Sequence, residues 1–378
     1  MKKHLLKWFI LFGLIFFGSE GYAEYSNPTL KVLLFKSSSP VLVKSANQLS
    51  VKEFDLYRDE NIQIRIKPAS SNKINFNNRL LVKGSLVISS GGIIEITKQV
   101  GNFSRRYKGS IEFKPYRGGM YIINHIPIES YLEGVLNAEI STDWPIEVVK
   151  AQSVISRTYA LHKREKRVEA AWHLSSGHFD QVYNGADISD QRGRFAIRKT
   201  RGIVVTHNKK LAQTFYHSNC GGMTEDPGNI WKSKLPYLKI KSVPFGQDDP
   251  RYYWKTTISD KAMKRILRKG GISVKNLKDV YISQRTLSKR AFELVLVGDS
   301  IKKMTAYDFR KQAGYQKIQS LLFNIIRVPG GYYFEGKGNG HGVGLSQWSA
   351  REMAQSGYNY KEILNFFYSG IKLSRYWN

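Results

Sequence analysis

"IPIESYLEGVLNAEISTDWPIEVVKAQSVISRTYAL", residues 126–161, holds two helix starts and, late in the first helix, the acid Glu139. Pro127 opens the first helix, and apolar residues then fall at Ile128, Tyr131, Leu132, Val135 and Leu136. These are positions i, i+3, i+4, i+7 and i+8, one face of a helix. The series continues to i+11, which is Glu139. A helix that persists so far ends its buried stripe on a carboxyl group. Apolar surroundings raise a carboxyl pKa because they disfavour the charged form, and a glutamic acid kept protonated in this way is a general acid. The competing reading is that Glu139 merely ends one helix and caps the next. Asp143 already supplies negative charge there, ahead of Trp144-Pro145, where proline suits a first helical position. Glu129 and Glu133 flank the stripe and read as solvated acids. The second helix is apolar over most of its circumference and belongs in a core. Gln152 and Arg157 are its polar exceptions, either packing hydrogen bonds or groups lining a site.

Upstream, residues 30–125 are strand-like: LKVLLF, IQIRI, LLVKGSLVI, GIIEITKQV, GSIEF and GMYIINHI are separated by Asn, Ser and Gly clusters. Downstream, 200–245 is mixed. Residues 259–325 read as α+β, with KAMKRILRK and YDFRKQAGY helical and FELVLVG a strand, and a glycine-rich loop then leads into two terminal helices. The fold class expected is α+β: a β-rich region over 24–104, then a mixed α+β domain over 105–378.

The first stretch, MKKHLLKWFILFGLIFFGSEGYA, has a basic start and an apolar run too short to span a bilayer. It reads as a signal peptide over 1–23, cleaved after Ala23, and implies an exported protein, periplasmic or extracellular. With a single cysteine, Cys220, no intramolecular disulfide framework exists. The formal net charge of +29 favours anionic partners. Export and the absence of a recognisable nucleic-acid module argue against nucleic acid. A surface adapted to peripheral contact with an anionic cell envelope fits better.

The 126–161 stretch resembles the central signature of the stage II sporulation protein D family, which includes the amidase-enhancer proteins. Similar pieces follow in order: DQVYNG (180–185), FYHSNCGGMTED (215–226) and GNGHGVGLSQWSAREMAQSGYNYKEILNFFYSGI (338–371). The resemblance implies that 105–378 is a catalytic domain with a glycan-binding cleft, and that it cleaves bacterial cell-wall glycan, as a lytic transglycosylase or a lysozyme-like muramidase, with the catalytic acid at Glu139. It also implies a preference for modified strands, peptide-stripped or de-N-acetylated, although the positive charge would favour peptide carboxylates and disfavour a glucosamine amine. The alternative it carries is a non-catalytic wall-binding activator of an amidase, with other wall hydrolases as partners.

Most glycosidases need two carboxyl groups, whereas a transglycosylase can work with one that serves as acid and then as base. Asp143, Asp180 or Glu225 facing Glu139 would permit plain hydrolysis. The candidate substrate-binding residues are Asp143, Gln152, Tyr183, Tyr216, His217, Glu225, His341 and Gln347. GKGNGHGVGLSQWSA (336–350) lacks the following βαβ unit of a dinucleotide site and the Lys-Ser/Thr of a phosphate loop. Its glycines instead let backbone approach the glycan or the core. His217 and Cys220 are a weak metal pair, because a structural zinc wants four ligands. No cofactor is expected.

Overall fold

A computed structural model describes residues 27–54, 56–58, 62–70, 72–177, 180–186 and 190–377. The expected signal segment over 1–23 lies outside the described residues. Among those described, no helix is long and apolar enough to cross a membrane.

The alternating pattern upstream builds two facing antiparallel layers. Thr29–Ser37 pairs with Gly119–Pro127, which pairs with Ser110–Tyr116, inside a seven-stranded sheet. Val41–Ser45 sits between Ile94–Lys98 and Ile62–Pro68 in a six-stranded sheet. Period-2 side chains such as Leu30, Val32, Val41, Val43, Ile111 and Phe113 fill the space between. Residue 104 opens the strand Ser104–Tyr107, and strands from both sides of it share these sheets. The β-rich unit thus continues to Pro127.

At Pro127 the chain turns directly into helix α1, Ile128–Glu139, and after a short loop into α2, Ile146–Lys166. Neither helix has a side-chain N-cap; Pro127 and Pro145 occupy the cap positions with extended backbone. Helix α2 is buried on nearly every side from Val148 to Leu161. Around it pack α1, α3 (Gln191–Lys199), the strand Ile203–His207 and the C-terminal helices. The remaining helices are α4 (Gly228–Trp231), α5 (Asp260–Lys269), α6 (Ala306–Ala313), α7 (Gln347–Gln355) and α8 (Tyr360–Phe367).

One hydrophobic core runs from Leu30 to Trp377 through the sheets and α1, α2, α7 and α8. A second core, from Trp254 to Phe334, belongs to an inserted unit of two three-stranded sheets with α5 and α6. The chain leaves the first core after Val243 and returns at Val343. There Leu345–Ser346 pairs in parallel with Tyr216–His217.

A buried polar network seals the junction between the two cores. The Glu225 carboxylate is fully buried and accepts from the Thr286 hydroxyl (2.7 Å), the Ser288 hydroxyl (2.8 Å), the Asp226 amide (2.7 Å) and Asn229 Nδ2 (2.9 Å). Arg290, also buried, donates to Ser288 Oγ and to the Cys220 carbonyl at 2.6 Å.

Candidate active site

The apolar stripe of α1 is fully buried, and the helix ends on Glu139, which remains partly exposed. Extended backbone at Ile140 stops the helix there. Glu139 Oε1 accepts the Val182 amide at 2.8 Å, and the Glu139 carbonyl accepts from Gln347 Nε2 at 3.3 Å. Three tyrosines lie within reach of the Glu139 charge. Burial, then the neighbouring Tyr183 and the Glu139 charge, push the Tyr131 hydroxyl well above its ordinary pKa. Burial and then the Glu139 charge do the same to Tyr216. Burial and Asp180, with a smaller contribution from Glu139, raise Tyr159. All three hydroxyls therefore stay protonated at neutral pH and can serve as donors.

Gln181 orders two of them. The Tyr131 hydroxyl donates to Gln181 Oε1, and Gln181 Nε2 donates to the Tyr216 oxygen, both at 3.3 Å. Gln347 Nε2 also reaches Gln152 Oε1 at 3.3 Å, and Gln152 Nε2 reaches Ser156 Oγ at 3.0 Å. Gln152 and Gln347 thus support Glu139 from beneath.

Two further devices hold the acid. The loop after it is clamped from α3: Arg192 donates to the carbonyls of Thr142 (2.8 Å) and Trp144 (2.9 Å), and Asn137 Nδ2 donates to Asp190 Oδ2 (2.9 Å). The second device is Gly134 in the middle of α1. A Cβ there would lie 2.3 Å from the Gly185 carbonyl oxygen and 2.6 Å from the Tyr183 ring. Only glycine lets the 182–185 segment lie against the helix, where the Val182 amide meets Glu139. Gly134→Ala is expected to cost about 1–3 kcal/mol of stability through overpacking, and to lower any Glu139-dependent activity more than stability alone explains. Urea titration beside an activity assay checks it, and unchanged activity would remove Gly134 from the account.

The loop after Glu139 and the start of α7, whose Gln347 bonds the Glu139 carbonyl, together carry an aromatic shelf. The rings of Trp144 and Trp348 meet edge-on at 5.0 Å between centroids, with the Arg351 guanidinium over both. A second group joins Phe215, stacked on Trp231 at 4.4 Å, to His341. Half-buried indoles of this kind offer flat apolar faces with a polar edge. Sequence reasoning passed over Gln181, Trp348 and the Val182 amide, although all three lie inside the motifs quoted above.

The other candidates are placed as follows. Tyr216 is half-buried at the carboxylate. Asp143 is exposed on the loop after α1. Tyr183 packs its ring 4.9 Å from that of Tyr131, is buried, and donates its hydroxyl to Asn124 Oδ1 at 2.9 Å. Glu225 is engaged at the junction with the inserted unit instead. Asp180 is pinned by the Ser175 amide and hydroxyl, by Lys163 at 3.0 Å and by Tyr159. Burial works to raise its pKa, but these partners overcome that and hold it below the ordinary carboxylate value. Glu129, which the sequence suggested is solvated, is instead buried against Arg157 of α2. The glycine-rich loop approaches the core and not open space: at Gly344, with φ +75°, a Cβ would lie 2.0 Å from the Phe215 carbonyl oxygen.

His341 accepts the Val343 amide at Nδ1 (3.0 Å) and donates from Nε2 to the Tyr216 carbonyl (3.0 Å), which fixes a neutral ring. Burial and then Arg310 lower its pKa to about 3. His217 donates from Nδ1 to the Val343 carbonyl, and burial and then His341 hold its pKa well below 6.5. Cys220 is buried, with Sγ 3.8 Å from Ser349 Oγ, and among the described residues no group of three or more His, Cys, Asp or Glu side chains is placed to hold a metal ion. Burial and then Lys31 lower His173 to about 4. In all three the folded state refuses a proton that the unfolded chain takes up below about pH 6.5. Stability is therefore expected to fall as pH drops from 7 to 5, by up to about 1.4 kcal/mol per pH unit for each histidine below that pKa. Urea midpoints across this range check it; a midpoint that holds or rises contradicts it.

Comparison with known proteins first defines the class. Residues 116–207 match the family described as "Stage II sporulation protein", and residues 236–344, which span the inserted unit, match a domain of unknown function (DUF8618). The chain belongs to the stage II sporulation protein D family, which includes amidase enhancers. Among its relatives, an uncharacterized protein of Brachyspira hyodysenteriae is 33% identical over 273 residues, 71% of this chain and 73% of that protein. The stage II sporulation protein D of Bacillus amyloliquefaciens is 27% identical over 275 residues, 68% of this chain and 77% of the relative. The amidase enhancer of Bacillus subtilis is 26% identical over 294 residues, 65% of this chain but 40% of the relative.

Proposed function

We propose that this protein is an exported enzyme that cleaves the glycan strands of the bacterial cell wall, with Glu139 as both general acid and general base. One observation carries the reading: the partly exposed Glu139 carboxylate is fixed by the Val182 amide at 2.8 Å among protonated tyrosine hydroxyls, beside the Trp144–Trp348 shelf. The shelf suits the apolar face of a sugar ring. Glu139 gives its proton to the bridging oxygen as the C1–O bond breaks. The same carboxylate then takes the proton from the C6 hydroxyl as that oxygen bonds to C1. The ring closes as a 1,6-anhydro sugar, no water is consumed and Glu139 is restored.

The placement of the other acids favours this single-carboxylate chemistry over hydrolysis. Asp180, Asp190 and Glu225 are engaged elsewhere, and Asp143 faces solvent. Peptide-stripped strands fit the basic chain, because their lactyl carboxylates remain exposed. The test is release of soluble saccharide from purified peptide-free glycan by the protein alone.

The second reading, a wall-binding activator of an amidase, is favoured by the name of the Bacillus subtilis relative. It predicts no release from glycan alone and stimulation of an added amidase.

A further inference from the structure

A cleft of about 960 Å³ lies where the inserted unit meets the first core. Its size matches small-ligand pockets, which run to ~1,000 Å³. One wall is the Gly221–Gly222–Met223 turn that follows Tyr216–His217; the other is built from the inserted unit, and Glu139 does not line it. We propose that this junction cleft is a second binding site, for a sugar chain that carries carboxylates.

The lining combines two chemistries. Tyr253, at the mouth, is 68% exposed, with the Tyr252 ring edge-on to it at 4.9 Å. Trp254 lies deeper, its indole seated against Gly336, where a Cβ would come within 2.3 Å of the ring. A large ring left in water at a cleft mouth gains by stacking against an apolar sugar face.

The charged groups are cationic apart from Glu335. Lys255, Lys289 and Lys337 line the cleft, and among the described residues no carboxylate pairs with any of them. The Lys337 ammonium stands 5.2 Å from the centre of the Tyr253 ring. Lys289 is held with φ +66°, a left-handed conformation in which a lysine is strained. Arg285 is occupied within the wall, donating to the carbonyls of Lys289 and Phe323 and to Asn324. Three ammonium groups without a carboxylate partner, beside the exposed Tyr253 ring, suit a ligand with flat sugar faces and regularly spaced anions. The Glu225–Ser288–Arg290 network makes the floor rigid, so a strand held there would be tethered to the unit that carries Glu139.

The lining stands independently of the activity; only the choice of lactyl carboxylates as the anions rests on the proposed glycan chemistry. The test is amide hydrogen exchange on the full chain carrying Glu139→Gln, which prevents turnover. The probes are a peptide-free tetrasaccharide of alternating N-acetylglucosamine and N-acetylmuramic acid, and the neutral chitin tetrasaccharide. The acidic tetrasaccharide is expected to slow exchange across 221–223, 252–255 and 333–337 by about tenfold, with the neutral one giving little protection. Adding Tyr253→Ala and Lys337→Ala, both exposed side chains, removes that protection while leaving protection around 180–186 and the melting temperature in place. Three results overturn the proposal: no protection of these segments, equal protection by the neutral sugar, or protection that survives the double substitution. Failure of glycan cleavage with the cleft still protected by the acidic sugar would overturn the catalytic reading instead.

Discussion

Glu139→Gln is expected to reduce glycan release close to background and to leave the fold intact. The glutamine carbonyl still accepts the Val182 amide, and the Gln347 contact is to the Glu139 backbone, so neither support of the site is lost. What disappears is the proton. General acid–base catalysis is worth roughly 10²–10⁴-fold, and here one group performs both transfers, so the upper end of that range is expected. Saccharide release per unit time from purified glycan, compared with wild type at equal melting temperature, is the measurement. Release within a few-fold of wild type would take the chemistry away from Glu139. Asp143→Asn is the useful companion: exposed and outside the tyrosine cluster, it is expected to change the rate by less than about threefold, because solvated surface charges act weakly.

Glu129→Gln strips a buried arginine of its counter-charge. Arg157 donates from Nε and Nη2 to the two Glu129 oxygens at 3.0 and 2.8 Å, and the Gly202 amide adds a third bond at 3.1 Å. Burial lowers the Arg157 pKa, and the Glu129 charge beside it opposes that fall. Removing one partner of such a pair leaves an uncompensated interior charge, at about 3–5 kcal/mol. Glu133, one turn further along α1, pairs with Lys108 near the surface, so Glu133→Gln is expected to cost no more than about 1 kcal/mol. Urea unfolding of the two variants at pH 7 gives the comparison. Equal losses would mean that the Glu129–Arg157 pair does not clamp α1 to α2.

Those two glutamates show where the sequence stops being informative. The 3.6 period placed Ile128 to Leu136 on a buried face and carried that face to Glu139, and α1 ends on that residue. Glu129 also sits at i and i+3 from Leu132, on the edge of the same stripe. Its partner lies 28 residues away on another helix, and no local pattern announces a contact at that range. Tyr183 and Glu225 show a different limit. Both stand inside motifs of the family, yet motif position does not distinguish a side chain that faces substrate from one that holds the scaffold: Tyr183 is spent on Asn124 and Glu225 on the junction with the inserted unit. Helices α5 and α6 and the strand Ala291–Val297 were each legible from amphipathic and β-branched runs. That they close a core of their own was not legible, because apolar residues of two separate cores look alike along one chain. The β-rich region was readable strand by strand, and its strand-like pattern over 30–125 stops where the strand Gly119–Pro127 does; that this last strand pairs with Thr29–Ser37 was not legible, because the contact spans most of the region.

The central claim is that one carboxyl group, acting twice, cuts glycan without water. Mass spectrometry of the saccharides released from purified peptide-free strands tests it most directly. The account predicts products that end in 1,6-anhydro-N-acetylmuramic acid and carry no oxygen from labelled water. Reducing ends that incorporate the label would contradict it, and would place a second acid opposite Glu139.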